Sequence, residues 1–103
     1  MVKYKVEWSI EARLDLLDIL DFYSQRNGNT VYSKKLFLKI NKSIGLIIRH
    51  PSIGLQTNIE SVRALVTGDY QLIYEMAENS ILIVMVWDCN QDPLKKLLSS
   101  RIK

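Results

Sequence analysis

The thirty residues from Ile59 to Asp88 constrain this chain most. Apolar and polar side chains alternate there with the period of a strand, and Gly68 and the pair Glu78-Asn79 interrupt the pattern. Three strands are predicted, at about Ile59–Val66, Tyr70–Ala77 and Ser80–Asp88. A three-residue loop, Thr67-Gly68-Asp69, would set Val66 opposite Tyr70, Ala64 opposite Leu72 and Val62 opposite Tyr74. Those six would form a core face, leaving Arg63, Leu65, Gln71 and Ile73 on the other. A two-residue turn would instead send Gln71 and Glu75 inward at the cost of burying polar groups, so the longer loop is the expectation. A turn at Glu78-Asn79 adds Ile83, Met85 and Trp87 to the core face and Leu82, Val84 and Val86 to the open one.

The preceding sequence supplies what covers such a sheet. Residues 2–8 alternate Val2, Tyr4, Val6 and Trp8 with Lys3, Lys5 and Glu7, which predicts a strand. Ser9 then caps a helix from Ile10 to Gln25, with Ile10, Leu14 and Leu17 sharing one apolar side that Leu16, Ile19, Leu20 and Tyr23 widen, and Glu11, Asp15 and Asp18 as an acidic stripe opposite. Gly28 stops that helix, and Asn29 or Thr30 caps a second from Val31 to Arg49. Tyr32, Leu36, Ile40, Ile44 and Ile47 line its buried face, with Phe37 and Ile48 beside them, and Lys35, Lys39, Lys42 and Arg49 lie together elsewhere. "HPSIGLQTN" reads as a loop. The result is one small α+β domain over residues 1–103: an antiparallel sheet with an N-terminal helical hairpin on one face, in the order β-α-α-β-β-β plus a short C-terminal tail helix.

A hairpin covers one face only. Leu65, Ile73, Leu82, Val84 and Val86 would then form an apolar patch, covered either by a partner or by the tail with Leu94, Leu97 and Leu98. Charge is segregated too. No acid occurs between Gly28 and Ile59, whereas six acids face Arg63 alone from Glu60 to Asp92, and Lys95, Lys96, Arg101 and Lys103 follow. Opposed patches of this kind suit charged partners. The longest apolar run, Ile81 to Trp87, is too short to span a membrane, and the N-terminus has no signal-peptide pattern, so a cytoplasmic domain is expected. Cys89, the sole cysteine, has no activating partner in sequence, His50 sits at a helix end, and Asp88 and Asp92 read as turn residues; no metal or cofactor is expected.

In this order and spacing, "VEWSIEARLDLLDILDFY", "HPSIGLQTNIESVRAL", "GDYQLIYE" and "VWDCNQDPLKK" resemble the RelE/ParE superfamily, the toxins of type II toxin–antitoxin modules. The resemblance implies a growth-inhibiting toxin neutralised by a cognate antitoxin. RelE-like members cut mRNA on the ribosome, whereas ParE-like members poison DNA gyrase. Cleavage by attack of a 2′-OH needs proton transfer and cations around the developing phosphorane charge. The arginine usual in the RelE-like "Y-R-L-V-Y" strand is Gln71 here, and no tyrosine or histidine follows Trp87. Arg63 remains a weak catalytic candidate. The reading is therefore ParE-like, not an enzyme, with gyrase as target; the alternatives are a RelE-like ribosome-dependent endoribonuclease or a non-toxic antitoxin-binding module. Target- or antitoxin-binding residues are expected at Arg63, Leu65, Gln71, Ile73, Val84 and Val86, with Asn90, Gln91, Lys95 and Lys96 in the tail.

Overall fold

A computed structural model describes residues 4–89. The chain runs β1 (Lys5–Trp8), α1 (Ile10–Asn27), α2 (Val31–Arg49), β2 (Leu55–Gln56), β3 (Val62–Thr67), β4 (Tyr70–Met76) and β5 (Ser80–Asp88). The five strands form one sheet in the order β1-β5-β4-β3-β2. The α+β class and the helical hairpin are as expected, but the sheet is mixed: β1 lies parallel to β5, with Val6 beside Ile81 and Trp8 beside Ile83. A parallel neighbour requires a long crossover, which the hairpin provides. The expected tail helix lies outside the described residues.

Both helices begin and end where local chemistry dictates. The Ser9 hydroxyl accepts the Ala12 N–H at 3.0 Å, and Gly28 closes α1 in the left-handed region at φ 69°. Asn29 rather than Thr30 serves α2, its Oδ1 accepting the Val31 N–H at 3.0 Å. Ser33, buried between the helices, donates to the Leu20 carbonyl at 2.7 Å and shares a 2.8 Å bond with Ser24. A small hydroxyl with both needs met lets the helices approach closely.

Ala12 and Leu16 of α1 and Leu36, Ile40, Ile44 and Ile47 of α2 meet Tyr70, Leu72, Tyr74, Ile81, Ile83 and Val86 of the sheet in the main core. The seating of α1 departs from expectation. Ile10, Leu14 and Leu17 point outward, 76%, 53% and 59% exposed, and Leu38 and Phe37 of α2 are exposed with them. The cause is on the opposite side of the helix: Asp15, expected in a solvated stripe, is half-buried and its Oδ2 accepts the Val86 N–H at 3.1 Å. A backbone donor that would otherwise be orphaned thus fixes the rotation of α1.

Two register features rearrange the sheet. The β3–β4 turn is the two-residue Gly68-Asp69, with Thr67 opposite Tyr70, Val66 opposite Gln71 and Leu65 opposite Leu72. Gly68 has φ 60°, which a tight hairpin turn assigns to glycine. Tyr70, Leu72 and Tyr74 keep their inward direction, so β3 is the strand that inverts, with Val66 turned out to 55% exposure. A bulge then sets Tyr74 opposite Ile83 but Ile73 opposite Met85, leaving Val84 as the extra residue. Past it the parity of β5 reverses: Val86 joins the helix-side core, while Met85 and Trp87 move to the second face. Finally, β3 starts at Val62 rather than Ile59 because Gln56 and Thr57 hold the intervening segment as a turn. The Gln56 amide donates to the Ile59 and Glu60 carbonyls at 2.9 and 2.8 Å, and the Thr57 hydroxyl donates to that of Val62 at 2.8 Å.

Candidate binding face

Paired residues share a face, so the second face can be read row by row. One row is Val66–Gln71–Trp87, the next Leu55–Ala64–Ile73–Met85, and the third Val62–Glu75–Leu82–Glu7. Val62, Ala64, Ile73, Val84 and Met85 form a second buried cluster there, with Ile59, Leu82 and Trp87 packed against it. Ile73 and Val84, expected as an exposed patch, are 0% and 1% exposed, so neither offers a free contact surface.

Three further expected contacts are not on this face. Val86 is in the helix-side core because of the bulge, and Leu65 packs against that same core because of the two-residue turn. Arg63 lies opposite Tyr74 and between Tyr74 and Gln56, on the helix side. Its Nη1 donates to the Gly54 and Ser52 carbonyls at 2.8 and 3.2 Å. The Tyr74 hydroxyl grips the same loop, donating to the Pro51 carbonyl at 2.6 Å and accepting the Gly54 N–H at 2.9 Å. Gly54 is required by this grip, since a Cβ there would stand 2.8 Å from the Tyr74 oxygen and 3.1 Å from the Ala64 backbone. In the sequence Gly54 is only one residue of the loop "HPSIGLQTN"; the long-range latch between residue 54 and strands β3 and β4 leaves no local signal.

Arg63 and Gln71 therefore stand on opposite faces. Of the three expected contacts that stay on the second face, Ile73 and Val84 are buried, and Gln71 is half-buried between Val66 and Trp87. Asn90, Gln91, Lys95 and Lys96 lie outside the described residues. Strands β2 to β5 bring no lysine, arginine or histidine to this face; its cation among the described residues is Lys5, at the far β1 edge and 3.8 Å from Glu7. The described part of this surface can bind by apolar contact and amide hydrogen bonds, and among the described residues none brings positive charge beside Gln71.

On the helix side three phenols cluster where α1, α2 and β4 meet. Tyr23 and Tyr32 rings stand 4.6 Å apart, and the Tyr70 hydroxyl is 3.2 Å from that of Tyr23. Burial, then the hydrogen bond to Tyr23, drives the Tyr70 pKa well above the usual phenol range. Burial also raises Tyr32 and Tyr74; at Tyr74 the Gly54 hydrogen bond and the Arg63 charge oppose it. Among the described residues no group of three or more His, Cys, Asp or Glu is placed to hold a metal ion, and no helix is long and apolar enough to cross a membrane.

Residues 6–93 match the family described as the ParE toxin of type II toxin–antitoxin systems, parDE. No curated protein matches the sequence. The structure is similar to the chromosomal ParDE toxin–antitoxin system of P. aeruginosa, with TM-score 0.72 and 18% identity over 84% of this chain and 96% of that one. It is also similar to the toxin–antitoxin complex RelBE2 from Mycobacterium tuberculosis, with TM-score 0.58 and 20% identity over 84% and 99% of the two chains. The YoeB dimer from Staphylococcus aureus gives TM-score 0.59 and 21% identity over 84% and 97%. At these identities the structural likenesses speak for the fold.

Proposed function

The chain belongs to the ParE toxin family of type II toxin–antitoxin systems, and from that premise we propose that it acts in the cytoplasm by binding DNA gyrase, without cutting nucleic acid. The observation that supports the reading is the composition of the second face among the described residues: Gln71 stands amid Val66 and Trp87 with no cation beside it, and the Arg63 guanidinium is engaged by loop carbonyls on the opposite side. The contact set is Gln71, Val66 and Trp87, with Asn90, Gln91, Lys95 and Lys96 beyond them in sequence. The test pairs two assays on the purified, antitoxin-free protein. Gyrase supercoiling with trapped cleavage complexes should show poisoning that weakens in Gln71→Ala, and message in a translating extract should stay intact. Ribosome-dependent cleavage with unaffected gyrase would make the protein an endoribonuclease, and silence in both assays from a folded protein would leave a non-toxic antitoxin-binding module.

The cognate antitoxin is proposed to dock on the outward apolar stripe of the hairpin, Ile10, Leu14 and Leu17 with Phe37 and Leu38, because large contiguous apolar patches mark protein-binding surfaces. Leu14→Glu with Leu17→Glu should weaken antitoxin binding by at least ~30-fold, the loss of about 2 kcal/mol typical of a central anchor. Circular dichroism should be unchanged, since both side chains are exposed. Unaltered affinity in calorimetry would place the antitoxin elsewhere.

A further inference from the structure

The acid-free block of the sequence becomes a surface in the structure. Helix α2 buries Leu36, Ile40, Ile44 and Ile47 against the core. At about 100° per residue, Lys39, Lys42 and Arg49 all fall within about 40° of Lys35, well away from that buried side. All four cations are exposed, and none is in an ion pair among the described residues. By the helical rise of 1.5 Å per residue, the line from Lys35 to Arg49 is about 21 Å long. At its N-terminal end, Lys35 and Lys39 edge a cleft of about 240 Å³ completed by Tyr32, Leu36 and the turn Thr67–Tyr70. Lys39 leans over that turn: a Cβ on Gly68 would be 3.0 Å from its Nζ. Asp69, on the same turn, is the acid at this end of the line.

We propose that this face of α2 binds the phosphodiester backbone of duplex DNA. A rigid rod carrying cations in one straight line, with no acid along the helix, matches the linear charge array of a duplex, which presents one phosphate per ~3.4 Å of axis on each strand. Lysine favours this partner over an acidic protein segment. Lysine is depleted from protein–protein interfaces, where aromatic residues, methionine and arginine dominate, but it is a regular point-charge ligand of phosphate. The line also lacks the succession of aromatic platforms on which single strands stack. Contact through backbone charge alone carries no sequence preference.

The experiment is a salt titration of the full chain binding a fluorescent 20-base-pair DNA duplex. Neither gyrase nor ribosome is present, so the result stands apart from the poisoning test. Four phosphate contacts predict a slope of log K against log salt near −3.6, or ~150-fold weaker binding at 200 mM than at 50 mM salt. Replacing Lys35, Lys39 and Lys42 by glutamine should bring the slope to about −0.9, leaving one contact. Replacing Lys5, Arg13 and Arg26 by glutamine removes the same net charge elsewhere and should keep the wild-type slope. Asp69→Asn, which removes the acid at the end of the line, should tighten binding at least ~2-fold. Equal slopes in the two triple variants, or no tightening by Asp69→Asn, would overturn the proposal. So would a preference for duplex RNA of the same length or for polyglutamate.

Discussion

Replacing Tyr74 by alanine is expected to cost about 3–5 kcal/mol of folding stability, the range for truncating a fully buried aromatic. Tyr74 is 0% exposed and lies in the main core, so its ring alone accounts for most of that loss. Its hydroxyl adds a second function. It joins the Pro51 carbonyl to the Gly54 N–H, and Arg63 holds the Gly54 carbonyl from the other side. Tyr74→Phe keeps the ring and strands these groups, so it should cost about 1–3 kcal/mol, the penalty of an unsatisfied buried donor. Denaturant unfolding of both variants separates packing from latch. If Tyr74→Phe melts as the wild type does, the loop is held by Arg63 and the β2–β3 pairing alone. The latch also changes what an Arg63→Ala phenotype would mean. Loss of toxicity there would report a loosened 51–54 loop before it reported a lost target contact, so it must be read beside a stability measurement.

Much of this architecture is legible in the sequence because its causes are local. Ser9, Gly28 and Asn29 act within four residues of themselves, and α2 spans Val31–Arg49 as its periodicity predicts. The strand positions follow as well, since β4 and β5 need only period two between turn residues. The face assignments fail where the causes are distant. Leu65 and Val86 changed sides through a turn one residue shorter and a bulge at Val84, and neither is written in the alternation. A two-residue turn buries Gln71 and Glu75 only if β4 is the strand that inverts. Instead β4 kept Tyr70, Leu72 and Tyr74 inward, and β3 inverted at the cost of exposing Val66 while half-burying Leu65. Helix α1 misleads for a similar reason. Its leucines and isoleucines could satisfy either of two stripes, and the choice was made by Asp15 reaching a backbone donor seventy-one residues away. The candidate site inherits these shifts: Gln71 stayed on its face because β4 did, and Arg63 left because β3 did not.

Three tyrosines of the helix-side face give the protein a specific alkaline limit. Tyr70, Tyr74 and Tyr32 all have pKa values raised above 10.0 in the fold, burial being the largest cause in each. In the unfolded chain these phenols ionise near pH 10, while the folded protein still holds their protons. Above that point the unfolded state binds fewer protons than the native state, so stability falls as pH rises; below it, both states are protonated and the contribution is complete. Stability measured in denaturant should therefore be level from pH 8 to about 9.5. It should then decline with a slope approaching about 1.4 kcal/mol per pH unit for each of the buried phenols Tyr70 and Tyr74 that stays protonated in the fold, the more exposed Tyr32 adding less. Tyr70 has the largest shift, so Tyr70→Phe should remove one such share of the slope while weakening the protein at neutral pH through the lost bond to Tyr23. A Tyr70→Phe curve parallel to the wild type above pH 10 would mean that Tyr70 ionises freely in the folded protein. That outcome would require the joint between α1, α2 and β4 to be open to water. The neighbouring Lys35–Lys39 cleft, which shares Tyr70 and Tyr32 as walls, would then be no rigid end to the cationic line.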